Sequence, residues 1–262
     1  MAEDRRVAKE IELDATPEQV WGAISTGPGF SVWFVPHEVE PGVGGKCHAD
    51  FGSGNIAEGR VLEWDQGRRV VYGGSNDDPG ETLEFLVEAR DGGTAVLRFV
   101  QSGFTAEDWE AEYHSRGWDV FFHNLSSYFQ HFAGLPVVNA LAMSFTPLGR
   151  EAVWEKFHTA LGVAPAVQIG DRVDLTPEGV EPISGVVDLR WRGLLGIRTE
   201  NALYRFGGEG ADAWGMVNVC HYLYGTDRER VEATASWRAW LERLFPAPAV
   251  AENVTAEAYR QR

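Results

Sequence analysis

The chain has 262 residues with 39 acidic and 23 basic side chains, a formal charge of 23 − 39 = −16. At 44% hydrophobic, with 10 Trp, 7 Tyr and 14 Phe, it holds far more buriable surface than a disordered chain, and its length suits two ordinary domains. No apolar run approaches the ~20 residues of a membrane helix, Met1 to Asp14 lacks a signal-peptide centre, and the acidic balance disfavours nucleic acid.

Two distant cysteines, Cys47 and Cys220, provide neither a disulfide framework nor a four-ligand zinc site. The expectation is a cytoplasmic protein with no metal, no cofactor and no membrane insertion. The charge is uneven. Residues 1–135 hold 10 basic and 23 acidic groups, net −13, and residues 136–262 hold 13 and 16, net −3.

In chain order, Val7 to Leu13 alternates apolar and charged residues, the mark of a half-buried strand. Thr16, Pro17 and Gln19 suit the N-cap, first turn and reciprocal cap of a helix carrying Val20, Trp21 and Ile24. That helix is expected to stop at Gly27-Pro28-Gly29, with a short helical turn over Phe30 to Phe34. Strands are predicted near 36–40, 45–51, 59–65, 69–73, 82–90 and 94–102, separated by Gly-, Asn- and Asp-rich turns. This close spacing indicates an antiparallel meander. A long helix from about Thr105 to Phe132 presents Trp118, Phe121, Phe122 and Leu125 on one face, and Gly117 is expected to let it approach the sheet.

The second half repeats that order. Ala140 to Phe145 is a strand, Thr146-Pro147 matches Thr16-Pro17, and Val153-Trp154 matches Val20-Trp21. The segment Val167 to Asp171 corresponds to Val43-Gly44-Gly45-Lys46, and Ser184-Gly185-Val186-Val187 to Glu58-Gly59-Arg60-Val61. Trp214 to Tyr224 stands where Thr94 to Phe104 stood, and Arg228 to Phe245 forms the closing helix. The predicted division is 1–135, 136–246 and a solvated tail over 247–262. The fold class is α+β, with each unit a curved antiparallel sheet wrapped on its C-terminal helix.

Such a wrap encloses a space that serves as a ligand site where side chains do not fill it. The candidate lining is aromatic: Trp33, Phe34, Trp64, Tyr72, Phe99, Trp118 and Phe122, with Gln101 on the parity of Leu97 and Phe99. His48 and His221, each on a strand, are the histidines best placed to point into a sheet concavity. His114, His123 and His131 have no metal-ligand spacing and read as surface or packing residues. Glu84 and Arg98 are expected to lie nearly opposite one another across the hairpin at Asp91-Gly92-Gly93. No nucleophile elbow, phosphate loop or Cys–base pair occurs.

The first half resembles the SRPBCC superfamily, of START/Bet v 1-like helix-grip fold, and within it the activator of Hsp90 ATPase homologue branch. The resemblance rests on 15–21 (ATPEQVW), 33–36 (WFVP), Gly44-Gly45-Lys46 and 59–63 (GRVLE). It continues through 68–72 (RRVVY), 93–97 (GTAVL), 101–104 (QSGF) and Gly117-Trp118. The second half looks like a diverged copy, without the Gly-Thr before its last strand or the Gly-Trp in its helix.

Members of that superfamily bind lipids, sterols, polyketides or hormones, some catalyse cyclisation or dehydration, and the namesake stimulates a chaperone. The resemblance therefore implies three readings. The first is a binder of a small hydrophobic or aromatic molecule, without catalysis. The second is a polyketide-type cyclase or dehydratase assisted by His48 or Gln101. The third is a chaperone-linked regulator whose acidic first half meets a basic protein partner.

Overall fold

The computed structural model describes residues 5–74, 80–104, 111–212 and 215–246, with the side chains of all but 111–114. The predicted tail over 247–262 and the helix start over 105–110 lie outside the described residues. Two compact units divide between Gly134 and Leu135.

In the first unit, β1 (Val7–Leu13) leads into α1 (Pro17–Ser25) and α2 (Gly27–Ser31). The meander follows as β2 (His37–Val39), β3 (Lys46–Asp50), β4 (Ile56–Asp65), β5 (Arg69–Gly73), β6 (Thr82–Ala89) and β7 (Ala95–Ser102), and α3 (Ala111–His131) closes it. The seven strands order as β1-β7-β6-β5-β4-β3-β2, all neighbours antiparallel. The single crossover, from β1 over α1 and α2 to the far edge, curls the sheet around α3.

Local chemistry sets the helix ends. The Thr16 hydroxyl accepts the Gln19 N–H at 3.3 Å, and the Gln19 side chain accepts the Thr16 N–H at 2.8 Å, a reciprocal cap. The Gly-Pro-Gly segment, expected to end this helix, instead opens α2. Thr26 is the break: its hydroxyl caps the Gly29 N–H at 3.0 Å, and Pro28 sits in the first turn, where its missing N–H costs nothing. Gly117 also differs from expectation, because a Cβ there meets open space, so this residue is not needed for close packing of α3.

The second unit runs β8 (Val137–Phe145), α4 (Arg150–Leu161), β9 (Arg172–Leu175), β10 (Ile183–Trp191), β11 (Leu194–Arg198), β12 (Ala202–Gly210), β13 (Met216–Tyr224) and α5 (Arg230–Leu244). Its sheet order is β8-β13-β12-β11-β10-β9, the order of the first without counterparts of α2 and β2. Thr146-Pro147 does not start α4. The N-cap is Gly149, with no side-chain bond, while the Thr146 hydroxyl accepts the Leu148 N–H at 3.3 Å.

Backbone details confirm the repeat. A bulge shifts the register between Val61 and Glu63 in β4, and between Val187 and Leu189 in β10. Before each lies a tight turn through a glycine at positive φ, Gly44 (84°) and Gly170 (96°), a region that favours glycine. Their N–H groups donate to the carbonyls of Val61 and Val187, both at 2.8 Å. Following the ladders outward from the bulge pairs Tyr72 with Leu83 and Leu83 with Gln101 in the first unit. In the second, Ile197 pairs with Tyr204, and the β12–β13 register carries Tyr204 to His221. Gln101 and His221 therefore occupy the same place in the two sheets.

Candidate functional site

The concave face of the first sheet is set by strand alternation. Leu97, Phe99 and Gln101 on β7, with Phe85 and Val87 on β6, turn toward α3 and are buried. Trp118 and Phe122 descend from α3, four residues apart, onto the same spot. The Phe99 and Trp118 ring centroids are 4.2 Å apart, and Phe99 and Phe122 are 5.2 Å apart. From α2 and the segment after it, Phe34 stacks on Trp118 at 5.3 Å and Trp33 on Phe122 at 5.6 Å. The result is an aromatic box between sheet and helix, with offset and edge-on contacts of the favoured kind.

Its polar atoms are nearly all spent inside the fold. The Trp33 indole donates to the Ala23 carbonyl at 2.9 Å, and the Tyr72 hydroxyl donates to the Ile24 carbonyl at 2.8 Å. Tyr72 is thereby a strut between β5 and α1. Burial raises its hydroxyl well above the ordinary tyrosine range.

The Trp118 indole donates to Oε1 of Gln101 at 2.6 Å, and Nε2 of Gln101 donates to Glu81 at 2.8 Å. This line connects the buried interior to an exposed carboxylate. Using both ends of the amide fixes its orientation.

Of the predicted lining, the structure brings together Trp33, Phe34, Phe99, Gln101, Trp118 and Phe122, with Tyr72 at the α1 end. Trp64 is elsewhere: its ring meets Trp21 of α1 edge-on at 5.2 Å, and its indole donates to Gln66. His48 lies between buried Cys47 and Ala49 and so points to the opposite face of the sheet, opposite Glu38 and Glu58. That position removes it from acid–base work inside the grip.

The expected Glu84–Arg98 pair does not form. The register sets Glu84 against Val100 and Arg98 against Leu86. Arg98 instead pairs with Glu10 and Glu88, and Glu84 with Arg69 at 2.7 Å.

Two residues of the box escape sequence reasoning. Glu81 closes the Gln101 line, and its part depends on a turn geometry that sequence does not show. His37 stacks on Phe30 at 4.5 Å and lies 5.5 Å from Phe34, and its buried Nδ1 has no partner among the described residues. Burial lowers its pKa to about 4, so the ring is neutral at pH 7. A histidine directly after the Trp-Phe-Val-Pro segment was the available signal.

In the second unit the corresponding place is packed with the buried rings of Phe157, Phe206, Trp237 and Trp240. His221 is fully buried there, its ring 4.3 Å from Trp237 and 5.0 Å from Tyr204. The Arg205 backbone N–H donates to its Nδ1 at 3.0 Å, which puts the proton of the neutral ring on Nε2. Burial lowers its pKa to about 3, with the nearby Arg205 charge adding to the effect.

Among the described residues no group of His, Cys, Asp or Glu is arranged to hold a metal ion, and no helix is long and apolar enough to cross a membrane. A curved antiparallel sheet gripping a long C-terminal helix, occurring twice, defines an α+β helix-grip protein of the SRPBCC type. Residues 14–130 match the family described as activator of Hsp90 ATPase homolog 1-like protein.

Numerous solved structures are similar to the chain. MLL2253 from Mesorhizobium loti is 24% identical, covering 49% of this chain and 98% of its own, with a TM-score of 0.43. The Aha1 dimer from Colwellia psychrerythraea is 19% identical over 49% and 98%, with a TM-score of 0.42. DynU16, from the dynemicin biosynthetic locus, is 15% identical over 92% and 96%, with a TM-score of 0.43. The comparison with curated proteins gives no match.

Proposed function

We propose that the first unit is a cytoplasmic receptor for a small apolar or aromatic molecule, seated against the aromatic box between sheet and α3, without catalysis. The observation that carries this reading is the composition of the box. Six of its members are buried Trp, Phe or Tyr residues, while Trp33, Tyr72, Trp118 and Gln101 already have internal hydrogen-bond partners. A guest therefore gains dispersion and burial, at roughly 25 cal/mol per Å² of apolar surface, and offers nothing polar in exchange. The Gln101–Glu81 line marks the mouth, where a single polar substituent on the guest would find an amide.

Thermal-shift and native mass spectrometry screens against fatty acids, sterols and polycyclic aromatics test this. A member that raises the melting temperature and is carried by the intact protein is expected, with the effect lost in Phe99→Ala. No shift with any class overturns the reading.

A second reading is favoured by the family match over 14–130 and by the net charge of −13 over residues 1–135: capture of a basic surface on a chaperone. Binding to Hsp90 that weakens steeply with salt would support it. Absence of binding at low salt would remove it.

A further inference from the structure

The end of the second unit nearest α4 differs from the first unit in a way that packing alone does not require. Trp154 stands at the place of Trp21. Arg190 lies three residues beyond Val187, as Trp64 lies three beyond Val61, and His158 lies four after Trp154, as Ser25 lies four after Trp21. In the first unit these positions are uncharged. Trp64 packs edge-on against Trp21, and the Ser25 hydroxyl donates to the Trp21 carbonyl at 2.6 Å.

In the second, the Arg190 guanidinium lies 5.3 Å over the Trp154 ring, and the His158 ring is 5.6 Å from the same indole. Arg190 turns inward with Leu195, its partner across β10 and β11, which is fully buried. The repeat has thus placed a cation and an imidazole on one tryptophan where the other copy has neither.

The surrounding carboxylates do not neutralise this cation. Asp188 is held by two bonds from Arg205, at 2.8 and 2.9 Å, and Glu209 by Arg150 at 2.9 Å. Among the described residues no carboxylate pairs with Arg190, whose own hydrogen bonds are two contacts of 3.5 Å to the carbonyls of Trp191 and Leu194. Beside it, Nε2 of His158, a residue only 9% exposed, is buried without a partner. Buried polar atoms of this kind are rare unless something outside the chain satisfies them.

We propose that Arg190 and His158, backed by Trp154, form an oxyanion-binding site in the second unit, for a phosphate or carboxylate group. An oxyanion accepts from the guanidinium fork, and His158 donates to it from the buried side. Trp154 is locked for this by its indole bond to the Gly208 carbonyl at 2.9 Å, so it serves as a fixed floor for the guanidinium.

The test uses the full chain, titrated separately with inorganic phosphate and with benzoate at constant ionic strength, with chloride as the blank. The His158 imidazole is followed by long-range proton–nitrogen NMR. A saturable shift of its Nε2 resonance, given by phosphate or benzoate and not by chloride, is expected. The anion that gives the shift identifies the group the site takes. In Arg190→Gln the affinity should fall at least about tenfold, the usual weight of a charge-assisted bond. Where that variant does not fold, Arg190→Lys, which keeps the charge and loses the fork, should still weaken binding. Absence of a saturable shift with both anions in the unaltered protein overturns the proposal, as does unchanged affinity in the variant.

Discussion

At equivalent places on the last strand of their sheets, the first unit has Gln101 and the second His221, and the two use their polar atoms in opposite ways. Gln101 accepts from Trp118 with one end and donates to Glu81 with the other, so its burial is compensated and leads outward to solvent. His221 takes the Arg205 backbone N–H on Nδ1 and leaves an N–H on Nε2 facing aromatic rings. The first unit keeps a satisfied polar line into its grip, and the second keeps an orphaned donor among its core rings. The same ladder position thus carries a satisfied amide in one copy and an incompletely satisfied imidazole in the other. One ion pair in each sheet shows a parallel contrast: Arg69–Glu84 in the first is about one-third exposed, whereas Arg205–Asp188 in the second is 2% and 9% exposed.

That contrast is most easily broken at the buried pair. Asp188→Ala leaves the Arg205 guanidinium buried without its carboxylate and should destabilise the second unit by about 3–5 kcal/mol. Glu84→Gln, at the exposed pair of the first unit, should cost roughly 0–1 kcal/mol. Hydrogen exchange read peptide by peptide separates the two units, and similar losses in both would end the distinction.

Acid gives the next largest effect. His221 titrates near 6.5 when unfolded and near 3 when folded. Between those values the unfolded chain binds a proton that the folded one does not, so stability falls as pH drops through that window and is fully present above it. Going from pH 7 to pH 5 should cost about 2 kcal/mol in the second unit. His37 acts with the same sign in the first unit, between 6.5 and about 4. In His221→Gln the acid sensitivity of β12 and β13 should largely vanish. If it persists, the orphaned imidazole is not its source.

Much of this arrangement was legible in the sequence, and the reasons are physical. Strand alternation placed Gln101 on the parity of Leu97 and Phe99, and the helical steps of Trp118 and Phe122 brought them onto that face. Turn glycines marked the hairpins. Parity failed where the buried neighbours are small. His48 lies between two small residues, Cys47 and Ala49, whose burial is weakly signalled, and the strand faces the other way. Trp64 was misplaced along the strand: its register opposite Val70 carries it to the end of the face that α1 covers, where its ring meets Trp21. The Glu84–Arg98 pairing missed by two residues, since its register depends on a turn through Gly92 and Gly93, both at positive φ. Glu81, His37 and the Arg190–His158 pair depend on contacts between distant segments, which local pattern does not encode.

A smaller effect sharpens the comparison at Gln101 itself. Gln101→Leu keeps volume and burial but strips the Trp118 indole of its acceptor. Trp118→Phe in turn strands Oε1 of Gln101, and a stranded buried partner costs about 1–3 kcal/mol, so the two single losses together should exceed the loss of the double variant by about that much. Additive losses would mean that ring packing, and not the Trp118–Gln101 bond, decides the strength of this end of the grip.

The smallest expected effect lies at the helix starts, where the copies have diverged. Thr16→Ala removes the hydroxyl half of the reciprocal cap on α1, leaving the residue-16 N–H bonded to Gln19, and should cost about 1 kcal/mol, read as a lower urea midpoint for first-unit peptides. In α4 the cap is Gly149, already extended at φ −66° and ψ 162°, with no side-chain bond. A Cβ there meets only Asp212 Oδ1, at an ordinary 3.6 Å, so Gly149→Ser is sterically free to supply the missing acceptor. The gain should be a few tenths of a kcal/mol, because glycine is itself a tolerable cap. A loss instead would show that the backbone at Gly149, bridged to Gly210, needs glycine for its pairing and not merely for want of a better cap.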